Sequence, residues 1–291
     1  MNEIATIIHR LSEPLSPQPT GVEPRLPALP GIRVVLFDIY GTLLISASGD
    51  ISLTSGAAKG EAATEALAAV GVSLGVDGQQ VVDSLLETIQ TSHAESDVEY
   101  PEVDIVATWQ ATVQRLSDGE IALDDATARR LATEYECRVN SIWPMPGLAD
   151  LLDAIATAGL RRGIVSNAQF FTPQAFPALA GKSLAEWGFE ERLSSWSYAH
   201  LQAKPGTFLY QRVAEALAAN GIQPAEVLYV GNDMRNDIWP AAEVGFRTAL
   251  FAGDARSLRW REDDPRVAGL EPDAVVTELG QLLTILSLAG R

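Results

Sequence analysis

Four short runs of β-branched and apolar residues constrain this chain more than any other feature: "IRVVLFD" (32–38), "RRGIVSN" (161–167), "VLYVGND" (227–233) and "FRTALFAG" (246–253). A continuous apolar run of this length is what a parallel strand buried on both faces requires, because neither face can carry polar side chains. Helical patterns such as "PGLADLLDAIATAGL" and "PGTFLYQRVAEALAANG" separate the runs. This alternation predicts an α/β fold, a doubly wound, mostly parallel Rossmann-like sheet. In such sheets ligands bind beyond the carboxyl ends of the strands, and polar residues gather at those ends: Asp38, then Ser166 and Asn167, then Asn232 and Asp233.

Between the first run and Pro146 the rhythm changes. Stretches near 57–70, 77–96, 101–117 and 124–140 carry apolar residues at helical spacing, for example Val81, Leu85 and Ile89, and strand-like runs are absent. The expected division is a Pro-rich N-terminal leader over 1–30, a core over 31–45 and 144–291, and an inserted α-helical cap over 46–143. Six prolines between Pro14 and Pro30 exclude helix and central strand there. A cap inserted just after the first strand can exclude water from the strand ends and select substrates.

With 38 acidic and 21 basic residues among 291, the formal net charge is -17. That field repels nucleic acid and anionic lipid, so neither is expected as a partner, and an anionic substrate would need a local positive centre. Cys137 is the only cysteine and sits in a helical run, which excludes an internal disulfide and points to a packing role. No apolar run approaches the ~18 residues of a membrane span, and the N-terminus is too short in apolar residues for a signal sequence, so a cytoplasmic location is expected.

Four motifs in order give the chain a resemblance to the haloacid dehalogenase superfamily of hydrolases: "DIYGT", "VSN", Lys204 in "AKPGTF", and "VGNDMRND" with Asp233 and Asp237 four apart. The resemblance implies Asp38 as a nucleophile that forms a covalent aspartyl intermediate. It implies Thr42 and Ser166 as hydrogen-bond donors to a transferring group, with Asn167 beside them, and Lys204 as a fixed positive charge at the nucleophile. It further implies Mg²⁺ held by Asp38, Asp233, Asp237 and the backbone carbonyl of Tyr40, since three close carboxylates without a cation repel one another.

Tyr40 occupies the place where the family's phosphatases carry a second acid that protonates the leaving group and activates water; such catalysis contributes about 10²- to 10⁴-fold. The L-2-haloacid dehalogenases of the superfamily carry Asp-x-Tyr-Gly-Thr, and halide leaves without a proton. Those enzymes also present a cap arginine, whereas from Leu44 to Val113 this chain has no arginine and its one Lys is Lys59. Because an extra carboxylate at Asp233 is costly beside an anionic substrate unless a cation binds, the fourth motif is given more weight. The expectation is a Mg²⁺-dependent phosphatase acting on a small phosphomonoester, acyl or anomeric phosphate. The alternatives are an L-2-haloacid dehalogenase acting on a halogenated acid and a catalytically weak ligand-binding module. The histidines are given no role, and Tyr210 is read as packing. In the cap, Tyr100 and Trp109 among acids could face a polyol or cationic group, although a solvated helix start is favoured. The Phe-rich stretch after Asn167 is read as a brace for the cap.

Overall fold

The structure is a computed structural model and describes residues 2–48 and 56–288. Six strands form one parallel sheet: β1 (Val34–Phe37), β4 (Arg161–Ser166), β5 (Ser195–Trp196), β6 (Val227–Gly231), β7 (Arg247–Phe251) and β8 (Ala274–Val276). Their order is β5-β4-β1-β6-β7-β8. Two further strands, β2 (Leu44–Ser46) and β3 (Ile142–Pro144), pair antiparallel where the chain leaves and re-enters the core.

The pleat sends alternate residues to opposite layers. Val35, Phe37, Leu228 and Val230 pack on one face, while Val34, Leu36, Val165 and Tyr229 pack on the other against Val213 and Leu217 of the helix Phe208–Ala218. All four β1 residues are fully buried, as a central strand covered on both sides requires. Phe37 pairs with Ile164 on one side and Val230 on the other, so the three strands are in register at the end of β1, with β4 running on to Ser166 and β6 to Gly231. The chain order reverses at β1 and β6, which makes their carboxyl ends the crevice of the sheet.

The N-terminal residues are built into the molecule rather than trailing as a leader. Helix α1 (Glu3–Leu11), capped by Asn2 accepting from the Ala5 amide, buries Ala5, Ile7 and Ile8. The proline-rich segment then runs along the far sheet edge, where Arg25 exchanges backbone hydrogen bonds of 2.8 and 2.9 Å with Val275 of β8. Prolines suit this place because an edge cover needs few of its own amides.

The cap consists of α2 (Gly56–Ala69), α3 (Gly78–Ala94), α4 (Ile105–Leu116) and α5 (Asp125–Val139). Asp77, Asp104 and Asp124 cap the last three, each accepting from amides of its first turn. The cap is stitched to the core through Glu102, whose carboxylate accepts from Ser197 Oγ at 2.7 Å and Gln169 Nε2 at 3.2 Å, and through the Tyr100 carbonyl, which accepts from the Ala203 amide at 2.8 Å. Among the described residues no helix is long and apolar enough to cross a membrane.

Candidate active site

Asp38 continues β1 by one residue, its amide donating to the Val230 carbonyl at 2.9 Å, so its carboxylate stands at the sheet crevice. The chain must then turn sharply. Gly41 has φ +80°, and a Cβ there would lie 2.4 Å from Cβ of Ser257, so only glycine lets the two loops meet. Lys204 Nζ donates to Asp38 Oδ1 at 2.8 Å and to Asp237 Oδ1 at 2.6 Å, and all three groups are buried. Asn167 fixes the lysine backbone by accepting from its amide at 2.7 Å and donating to its carbonyl at 3.2 Å.

Asp237 is held from every side. Its second oxygen accepts from the Asn232 and Asp233 amides at 2.9 Å each, and the Tyr229 hydroxyl lies 2.9 Å from its first. Gly231 makes this approach possible, since a Cβ there would stand 2.4 Å from Asp237 Cγ. Burial raises the Asp237 carboxyl to about 6, against the pull of Lys204 and with a contribution from the Asp38 charge; its donors keep it ionised at neutral pH. Burial works against the Lys204 charge, but Asp237 and Asp38 outweigh it and hold its pKa above the ordinary lysine value. A fixed ammonium between two carboxylates is the electrostatic centre of the site.

Asp233 is not part of that centre. Its carboxylate caps the following turn by accepting from the Arg235 and Asn236 amides, and Arg261 grips it with Nε at 3.0 Å and an NH₂ group at 2.7 Å. The turn Met234–Ile238 is a π-helix, with both the Asp237 and Ile238 amides donating to the Asp233 carbonyl. The side chain that enters the crevice beside Thr42 is Asn232, which accepts from Thr42 Oγ at 3.1 Å and donates to the Ser257 carbonyl at 2.7 Å.

Family members commonly use Mg²⁺, which needs several oxygens in near-octahedral array. The residues present do not fit that ion as they stand. Lys204 already occupies the space between Asp38 and Asp237, Asp233 faces a guanidinium, and among the described residues no cluster of three His, Cys, Asp or Glu could hold a metal.

The other expected residues divide. Tyr40 and Asn167 line the cavity over the site, whereas Thr42 and Ser166 are fully buried behind it, the Ser166 hydroxyl donating to the Asn167 carbonyl at 3.3 Å. The Tyr40 hydroxyl sits 2.8 Å from Thr172 Oγ, and burial together with the Glu136 charge drives its pKa far above the ordinary tyrosine value. It can neither activate water at neutral pH nor readily lose a proton. Tyr210 packs edge-on to Tyr229 with centroids 5.0 Å apart, its hydroxyl donating to the Asn236 carbonyl, so it buttresses the π-turn. Tyr100 leaves the cavity and accepts from Arg266 at 3.0 Å, while Trp109 and Phe171 form part of the wall.

Several site residues escaped the sequence reading: Tyr229, Glu136 on α5, and the trio Ser257, Arg259 and Arg261. For the trio the local pattern misleads: "SLRWR" sets its polar residues at every second position, but Ser257 lies in a turn, with the Leu258 amide donating to the Asp254 carbonyl, and Arg261 has φ +54°.

The cavity has a volume of about 470 Å³ and lies between the strand ends and α3, α4 and α5. Of the comparisons with known proteins, the family model for haloacid dehalogenase-like hydrolases matches residues 32–245. No curated protein matches. Among solved structures, a 2-haloacid dehalogenase from Pseudomonas syringae pv. Tomato DC3000 is similar at 19% identity and TM-score 0.57, covering 88% of this chain and 98% of that one. A HAD phosphatase from Thermococcus onnurineus is similar at 17% identity and TM-score 0.53, with coverage of 88% and 98%. These likenesses share the fold. With a family model that spans most of the chain, the protein belongs to the haloacid dehalogenase-like hydrolases.

Proposed function

We propose that this hydrolase cleaves a carbon–halogen bond in a small organic acid, with Asp38 as nucleophile and without a metal ion. The observation that carries this reading is the Lys204 ammonium fixed between Asp38 and Asp237 while Asp233 is tied to Arg261. The positive charge at the nucleophile is then supplied by the chain itself. Asp38 attacks the halogen-bearing carbon through Oδ2, the oxygen Lys204 does not hold. A C–O bond forms as the C–X bond breaks, and halide departs with the electron pair. Water then attacks Cγ of the aspartyl ester, releasing the hydroxy acid and regenerating the carboxylate, with one proton lost to solvent. Departure of halide needs no general acid, so tyrosine at position 40 is no handicap. Asn167 acts by positioning Lys204, and the helical cap over 46–143 closes the cavity and selects the substrate.

The Mg²⁺-dependent phosphatase reading draws on the acidic residues of the fourth motif, but it requires Asp233 to leave Arg261. One experiment separates the two: halide release from 2-chloroalkanoates and phosphate release from acetyl phosphate and p-nitrophenyl phosphate, each with Mg²⁺ and with EDTA. Halide release is expected to survive EDTA and to vanish in Asp38→Asn. Phosphate release abolished by EDTA, with no halide release, would overturn the proposal.

A further inference from the structure

We infer that the segment 257–261, which follows β7, forms an oxyanion-binding subsite that receives the head group of an amphipathic substrate. For the position of the reacting carbon this inference rests on the function proposed above; for binding it stands alone.

The segment is laced to the strand ends. The Arg259 amide donates to the Asn232 carbonyl at 3.0 Å, the Met234 amide donates to the Arg259 carbonyl at 2.9 Å, and the Ser257 carbonyl accepts from Asn232 Nδ2. Two side chains on it lack what their chemistry requires. Ser257 lines the cavity and is 1% exposed, yet its hydroxyl has no hydrogen-bond partner among the described residues. Buried hydroxyls are nearly always paired, so one left open on a cavity wall calls for a partner from the ligand. Arg259 lines the same cavity, and among the described residues its guanidinium donates only to the neighbouring Leu258 carbonyl, at 3.0 Å, and makes no ion pair, in contrast to Arg261.

A neutral hydroxyl donor and a guanidinium on the wall of one cavity match a carboxylate or phosphate oxygen pair. In a chain of net charge -17, such a local centre is what lets an anion enter. Helices α3 and α4 contribute an apolar stretch of wall, Val82, Leu85 and Ile89 with Ile105 and Trp109, while α2 and α5 bring Lys59 and Glu136 to the same cavity. At about 470 Å³ the cavity falls in the range of ~300–1,000 Å³ that holds drug-sized ligands, much more than a three-carbon acid fills. The substrate is therefore an oxyanion with an apolar body, its head at Ser257 and Arg259 and its chain under the cap.

Calorimetric titration of the full chain with hexanoate, hexyl phosphate and 1-hexanol tests this. None of these carries a halogen, so binding is read whether or not halide release occurs. Hexanoate should bind about tenfold or more tighter than 1-hexanol. Arg259→Gln should remove that advantage while leaving 1-hexanol binding unchanged, Arg259→Lys should restore part of it, and Ser257→Ala should weaken hexanoate a few-fold. Equal binding of hexanoate and 1-hexanol, or undiminished hexanoate binding in a folded Arg259→Gln, would overturn the subsite. Hexyl phosphate that binds through Arg259 and is hydrolysed would uphold the subsite and sink the dehalogenase reading.

Discussion

Glu136 offers the sharpest test of how the cavity is built. It projects from α5 into the cavity beside Tyr40, and its one hydrogen bond, from Asn140 Nδ2, is long at 3.4 Å. Burial raises its carboxyl from 4.5 to about 7, with Asn140 opposing. Because the folded pKa lies above the unfolded one, the folded protein binds the extra proton between those two values. Stability contributed by the protonated form is complete below pH 4.5, declines as pH rises, and is lost above about 7. At ~1.4 kcal/mol per pH unit the ceiling is about 3 kcal/mol, and partial access of water to a cavity-lining group reduces the expectation to about 1–2 kcal/mol. Glu136→Gln keeps the shape and removes the charge. Urea denaturation of both proteins at pH 4.5, 6, 7 and 8 should show equal stability at the lowest pH and a gain of about 1–2 kcal/mol for the variant at pH 8. A gain that does not change with pH, or a loss at pH 8, would refute the account of a carboxyl desolvated in the cap.

Lys204→Met leaves Asp38 and Asp237 buried with no cation between them. Stability measured in urea at pH 7.5 should fall by about 3–5 kcal/mol and halide release should be lost; wild-type stability would mean the ion pairs are not formed. Asp237 is raised to about 6, so halide release should decline as pH falls through 6, where its protonation strips Lys204 of a partner; a flat profile from pH 5 to 8 counts against this. Tyr40→Phe removes only the contact with Thr172, so about 0.5–1.5 kcal/mol of stability should go while halide release stays within a few-fold. A loss of a hundredfold or more would make the hydroxyl part of the chemistry.

The sheet was legible because its strands are short apolar runs with no polar face; Asp38, Asn167 and Asp237 were singled out because each ends or follows such a run, and Lys204 only through the motif around it. Helix α1 was obscured by the prolines beside it, though Asn2 at its start and the spacing of Ala5, Ile7 and Ile8 carry an ordinary helical signal. Rotation of the cap helices is fixed by their packing on one another, so the inward positions of Leu85, Trp109 and Glu136 required coordinates. Asp233 shows the limit most clearly. A π-turn joins Asp233 to Asp237, and the Asp233 carboxylate, on the cavity wall, is engaged by the amides of its own turn and by Arg261. The residue that holds it there, Arg261, comes from 28 positions further along, beyond a whole strand of the sheet. Whether a carboxylate ligates a metal depends on which other cations compete for it, and here the competing guanidinium comes from a loop with no local pattern linking it to the motif.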